Sequence, residues 1–230
     1  MNPILKRVVT GLAVGAAVIA LILLAPPWAI LPAVACLIVL AAAEYALLLS
    51  RKVPLASCSG VAMLLVGTAV VAGGLLSLPA IAFHYGDEPC GTFRLGNVML
   101  LYMVAIVKFS DVGGFAVGIA SSKLVKGGNH KMCPSISPGK SWEGLAGSVL
   151  FSCAVSCAFI PVTRFALAKA LAFGVAAALL GTAGDLVESK FKRWIGVKDS
   201  SAIKITNGMG GILDMLDSLV FAPAILLPFL

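Results

Sequence analysis

Charge is scarce in this chain, and acid is scarcer than base. Of 230 residues 12% are charged, with 10 Asp and Glu against 17 Lys and Arg. A soluble domain carries about 25% charged residues to cover its surface, so the shortage argues against a solvated globule. Histidine is nearly missing, with two copies, His84 and His130, that show no partner pattern. The six cysteines form no CxxC and no Cys/His cluster at zinc spacing, which speaks against a zinc site or a disulfide framework. Cys153 and Cys157, at i and i+4, read as small buried hydrophobes. No GxxxxGK[ST] phosphate loop occurs, nor an internal repeat or low-complexity tract. The net charge of +7 comes without an aromatic-interleaved basic patch, so nucleic acid is not the expected partner.

What fills the sequence instead is hydrocarbon: 60% of the residues are hydrophobic. A helix needs about 20 mostly apolar residues to cross a bilayer core of about 30 Å. Seven stretches qualify, over 8–25, 28–49, 55–83, 96–120, 142–161, 165–184 and 211–230. The expected fold class is all-α, a polytopic membrane bundle. The first stretch, after Lys6-Arg7, resembles a signal peptide but has no convincing cleavage site, so it reads as an uncleaved span. Gly73-Gly74 and Gly113-Gly114 are plausible breaks in the two longest spans. Thirteen of the 17 Lys and Arg fall at Lys6-Arg7, Arg51-Lys52, 121–141 and 185–210. The positive-inside rule puts these connections and the N-terminus in the cytoplasm, with the C-terminus outside. Residues 1–95 read as N-terminal membrane helices and 96–230 as a catalytic membrane region with two cytoplasmic loops.

The few acids stand at span ends. Asp185 and Glu188 lie at i, i+3 where the sixth span leaves the membrane, and Asp214 and Asp217 at i, i+3 where the seventh begins. On helices each pair shares a face, and the connection between them lets the pairs meet. Asp111 sits in the cytoplasmic third of the fourth span. Carboxylates at membrane depth are expensive and usually functional. Converging carboxylates repel until a cation neutralises them, and hard oxygen donors suit magnesium, which commonly takes one or two carboxylates plus substrate phosphates. The bland alternative is capping, since Asp214 early in its helix favours the dipole.

Base surrounds these acids: Lys140 upstream, then Lys190, Lys192, Arg193 and Lys198. Such groups neutralise phosphates or anchor anionic headgroups. Ser141 is a good N-cap for the fifth span and Glu143 suits its first turn. Glycines at 208, 210 and 211 permit close backbone approach to a ligand. Lys108, three residues before Asp111, reads as its ion-pair partner, and Glu44 is an ambiguous acid near the inner end of the second span.

Taken together, these residues resemble a known family. Gly184-Asp185-Leu186-Val187-Glu188-Ser189-Lys190-Phe191-Lys192-Arg193, Gly196-Val197-Lys198-Asp199-Ser200-Ser201 and Gly210-Gly211-Ile212-Leu213-Asp214-Met215-Leu216-Asp217-Ser218 look like the signature of the phosphatidate cytidylyltransferases. Ser137-Pro138-Gly139-Lys140-Ser141-Trp142-Glu143-Gly144 and Asp111-Val112-Gly113-Gly114-Phe115 look like it too. The likeness covers roughly the C-terminal half. It implies transfer of the cytidylyl group of CTP to phosphatidic acid, giving CDP-diacylglycerol and pyrophosphate at the cytoplasmic face of a bacterial-type inner membrane, and it leaves room for a homodimer. It implies that Asp185, Asp214 and Asp217 hold Mg2+ and act in catalysis with Lys198, and that Lys140, Ser141, Glu143, Lys192, Arg193, Asp199 and Asp111 bind substrate.

The pattern has departures. Met209 stands where the family usually has histidine, and Met215 where it has arginine. Three rival readings follow from the same residues. A CTP-dependent lipid kinase would use the same metal and nucleotide parts with a hydroxyl acceptor. A transporter would use the carboxylates as a cation site. A CDP-alcohol phosphatidyltransferase lacks its DGxxAR-centred motif here.

Overall fold

The computed structural model describes residues 3–125, 128–198 and 211–230. In chain order the elements are α1 (Pro3–Leu24), α2 (Pro27–Leu49), α3 (Cys58–Tyr85), a short hairpin of β1 (Pro89–Cys90) and β2 (Phe93–Arg94), α4 (Leu95–Leu124), a second hairpin of β3 (Lys131–Cys133) and β4 (Ser137–Ser141), α5 (Trp142–Ala158), α6 (Ile160–Thr163), α7 (Leu167–Ile195), α8 (Ile212–Leu226) and a 3-10 turn, Leu227–Phe229. Helices 2, 3, 4, 7 and 8, the last with its 3-10 extension, are long and apolar enough to cross a membrane, while α5 and the 13–24 stretch of α1 are apolar but shorter. The protein is an integral membrane protein of the all-α class.

Local chemistry sets the helix starts. Pro27 occupies the first turn of α2, where its missing N–H costs nothing. The Ser57 hydroxyl accepts from Gly60 N at 3.0 Å and opens α3, and Ser141 accepts from Gly144 N at 3.1 Å and opens α5. Helix α7 closes on Gly196 in the left-handed region, φ 88°.

Neither glycine pair breaks its helix: α3 and α4 run continuously through them. The glycines bring backbones together instead. A Cβ on Gly113 would lie 2.5 Å from the carbonyl of Gly147 in α5, and one on Gly147 would lie 2.6 Å from that of Gly113. In lipid, where water offers no hydrophobic drive between helices, close packing of small residues supplies the association. Hydroxyls reinforce it. Ser152 donates to Ile106 O at 2.9 Å, Ser156 donates to Ala170 O at 2.7 Å, and Tyr102 meets Ser156 at 2.9 Å, joining α4, α5 and α7.

One end of the bundle collects the C-terminus of α4, the β3–β4 hairpin, the N-terminus of α5, the C-terminus of α7 and the N-terminus of α8. Helix α2 reaches the same end, where Lys52 Nζ donates to Trp194 O and stacks on its ring. Asp111, Lys140, Ser141, Glu143, Asp185, Glu188, Lys192, Arg193, Asp214 and Asp217 gather there.

Candidate active site

Helix α7 does not stop at the expected membrane boundary near 184. It continues to Ile195, so Asp185, Glu188 and Lys192 project from one face of a helix rather than from a loop. Helix α8 runs back antiparallel along that face. Gly184 allows the approach, since a Cβ there would meet Asp217 O at 2.7 Å. With the two helices antiparallel, the two i, i+3 pairs form two rungs.

In the outer rung Glu188 faces Asp214, and Lys192 Nζ bridges them, 2.7 Å from Glu188 Oε2 and in a short contact with Asp214 Oδ1. Asp214 also accepts from Gly211 N at 3.1 Å. It therefore both caps α8 and pairs with α7. In the inner rung Asp217 meets Asp185 at hydrogen-bonding range. Two carboxylates so close repel unless a proton or cation lies between them. Lys140, delivered by β4, donates to Asp185 Oδ2 at 2.5 Å and to Thr182 O at 3.5 Å. Asp111 on α4 adds a third acid close enough to Asp185 to feel its charge. It accepts from Lys108 Nζ at 3.3 Å and from the Ser218 hydroxyl at 3.0 Å.

A cavity of about 300 Å³ opens beside the inner rung, with Asp111, Asp185, Lys140, Ser137, Ser141 and Ser148 among its walls. A second cavity of about 240 Å³ lies against the same α7–α8 seam. It is apolar, built from Tyr45, Val71, Phe191 and Phe221, with Glu188 and Asp217 at its edge. The site thus presents a polar chamber and an apolar slot that share the carboxylate rungs.

The donor set fits magnesium through oxygen chemistry. Among the described residues no group of three or more His, Cys, Asp or Glu side chains is placed to hold a metal ion unaided. Magnesium commonly takes one or two carboxylates and completes its shell with substrate phosphates, a number that the Asp185–Asp217 pair matches.

The profile of the Cytidylyltransferase family matches residues 74–230, which hold both rungs, the hairpin and both cavities except Tyr45, Gly67, Val70 and Val71. The chain belongs to that family. Its curated relatives include the phosphatidate cytidylyltransferase of Haemophilus influenzae, 36% identical over 145 residues, 60% of this chain and 46% of the relative. That of Staphylococcus aureus (strain COL) is 41% identical over 124 residues, 53% of this chain and 45% of the relative. That of Mycobacterium bovis is 40% identical over 129 residues, 54% of this chain and 39% of the relative. The chain spans less than half the length of the curated relatives it matches.

Within this cytidylyltransferase-family frame the remaining expected residues take distinct places. Glu143 turns away from the chamber: its two oxygens accept from His130 N at 3.1 Å and one meets the His130 ring at 2.6 Å. It closes the base of the β3–β4 hairpin, which carries Lys140. Arg193 donates to Ile136 O at 3.2 Å, tying the hairpin tip to α7. Lys198 is exposed just beyond α7. Asp199 and Met209 lie outside the described residues. Glu44, ambiguous in sequence, is fully buried, and its Oε2 accepts from Leu213 N at 2.9 Å at the start of α8. An acid inside an apolar run is the signal that could have marked it, but its partner lies 169 residues away in the chain.

Proposed function

We propose that this protein transfers the cytidylyl group of CTP to phosphatidic acid at a membrane-embedded site, forming CDP-diacylglycerol and releasing pyrophosphate. The observation that carries the reading is the Asp185–Asp217 rung with Lys140 above it, set between a polar chamber and an apolar slot. A phosphate oxygen of the lipid attacks the α-phosphorus of CTP, a new P–O bond forms, and the bond to the β-phosphate oxygen breaks with its electron pair leaving on pyrophosphate. The attacking oxygen is already anionic, so no protein nucleophile is required. The protein's task is positioning and charge neutralisation.

The polar chamber suits the triphosphate and the apolar slot the acyl chains. Lys140 is the cation best placed to move from Asp185 onto an incoming phosphate, with Arg193 and Lys198 at the rim. Asp185 and Asp217 would hold magnesium, whose charge would offset that building on the leaving pyrophosphate. Asp214, paired with Lys192, would be a further carboxylate for the ion once that lysine is drawn to a phosphate. Ser141 and Glu143 serve by fixing the frame of Lys140.

Topology follows the same reading. With α1 and α5 counted beside the five long helices there are seven crossings. The basic connections then gather at the site end, placing the active site and the N-terminus in the cytoplasm of a bacterial-type cell. The deciding experiment gives purified full-length protein phosphatidate, labelled CTP and magnesium. Appearance of CDP-diacylglycerol with equimolar pyrophosphate is expected. Label reaching a lipid hydroxyl as phosphate, or no lipid product, refutes the assignment.

A further inference from the structure

Two lysines stand beside the inner rung, Lys140 and Lys108, and they are built differently. Lys140 comes from a hairpin and spends its ammonium on one carboxylate and a distant carbonyl. Lys108 comes from the interior of α4, and each of its three N–H donors has an acceptor: Ser218 Oγ at 2.9 Å, Met215 O at 3.0 Å and Asp111 Oδ2 at 3.3 Å. An ammonium has three donors and no more. Ser218, itself fully buried, donates its hydroxyl to Asp111 Oδ2 at 3.0 Å, and its backbone N donates to Asp217 Oδ1 at 2.6 Å. Lys108, Ser218 and Asp111 thus form a closed triangle across α4 and α8, with Asp217 hung from one corner.

From this geometry we propose that Lys108 is a built-in cation of the acidic site, a positioning residue that fixes Asp111 and, through Ser218, Asp217, and that reduces the positive charge the site must draw from solution. A plain ion pair would need one acceptor. Here the ammonium also grips the backbone of α8 one turn after its start, between the two aspartates. Asp111, Asp185 and Asp217 carry a formal −3, and with Lys108 and Lys140 the set of five sums to −1. Lys140 can leave for a phosphate, while Lys108, with every donor engaged, stays. A charge this deep in a spanning helix is costly, and the carboxylates offset that cost while the lysine offsets theirs.

This inference rests on the metal-assisted reading above only for its effect on turnover; its charge and binding consequences are measured without substrate. The full-length protein, Lys108→Arg and Lys108→Met are purified in detergent and compared in EDTA and in magnesium by thermal melting, and by manganese binding through its paramagnetic signal. The expected result is that Lys108→Met melts lower in EDTA, is raised by magnesium far more than the unmodified protein, and binds manganese at least tenfold tighter, a lower bound for one unit charge removed a few ångströms from a divalent ion at a protein-like dielectric. Lys108→Arg keeps unmodified manganese affinity. Unchanged manganese affinity together with magnesium-independent melting in Lys108→Met overturns the proposal.

If Lys108→Met does not fold, Lys108→Met/Asp111→Asn removes both charges at once. It is expected to melt independently of magnesium and to bind manganese no tighter than the unmodified protein, yet to turn over slowly because Ser218 and Asp217 have lost their anchor. Full turnover in that double variant also overturns the proposal, since the pair would then be dispensable. Absence of cytidylyl transfer by the unmodified protein, alongside the expected melting and manganese shifts, defeats the activity reading and leaves the charge assignment standing.

Discussion

Replacing Asp185 with asparagine separates catalysis from stability at the inner rung. The amide keeps the shape of the carboxyl and one acceptor oxygen but no charge. Two effects on folding oppose each other. The 2.5 Å contact with Lys140, where both side chains are about three-quarters buried, becomes a neutral-acceptor hydrogen bond. Hydrogen bonds to charged groups are worth about 1.5–3 kcal/mol and neutral ones about 1, so roughly 1–2 kcal/mol is lost. The repulsion between Asp185 and Asp217 disappears in the same substitution, a gain of the same order. Melting of Asp185→Asn should therefore fall within a few degrees of the unmodified protein.

Turnover faces no such cancellation. Removing one preorganised electrostatic group from a reacting site costs about 10²–10³ in rate, or ~2.7–4 kcal/mol. Conversion of labelled CTP into CDP-diacylglycerol should drop by at least that factor, while size-exclusion profile and melting stay near normal. A well-folded Asp185→Asn protein with near-normal synthesis would refute both the magnesium assignment and the mechanism built on it.

At the outer rung, Lys192→Met leaves Glu188 facing Asp214 with its bridge removed. Breaking a buried charge network by removing one partner costs about 3–5 kcal/mol, so this variant should melt much lower or fail to purify, and an unchanged melt would show the network to be idle. Gly147→Val places carbon within 2.6 Å of the Gly113 carbonyl and of the Val117 side chain; overpacking costs about 1–3 kcal/mol or more, to be read as a lowered melting temperature with little change in the CTP requirement of the folded fraction. Lys198→Gln should raise the CTP concentration needed for half-maximal turnover several-fold, and an unchanged CTP profile would reduce Lys198 to a headgroup contact. Reporter fusions after Lys52 and after Arg94 should score on opposite sides of the membrane, and the same side for both would overturn the topology.

The membrane class, the helix positions and the acids of the site were legible because hydrocarbon length and the cost of buried charge act locally along a chain. Four features were not. The end of the sixth span was placed near 184 because a hydropathy window registers the charges after it as a loop. In the protein those charges face α8 and the hairpin, so the helix runs on to Ile195. The partition of Asp214 and Asp217 between different α7 residues depends on the direction of the neighbouring helix, which an i, i+3 spacing does not contain. In sequence Gly113 is a weak point of its own helix, whereas its missing Cβ makes room for α5. Glu143, expected on substrate, is engaged by His130, a residue with no sequence pattern to mark it.

The contact between Glu44 and Leu213 sets a schedule for the chain's birth. Glu44 is made early and its partner N–H only 169 residues later. At about 5–20 residues per second, the second helix spends on the order of ten to thirty seconds in or near the bilayer before the segment that receives its carboxylate exists. Through that interval the Glu44 carboxyl lacks its native donor, and water, a proton or another donor must meet it until α8 docks. Helix α8, which bears two of the site's aspartates, is thus also the element that satisfies an acid laid down in α2 long before it.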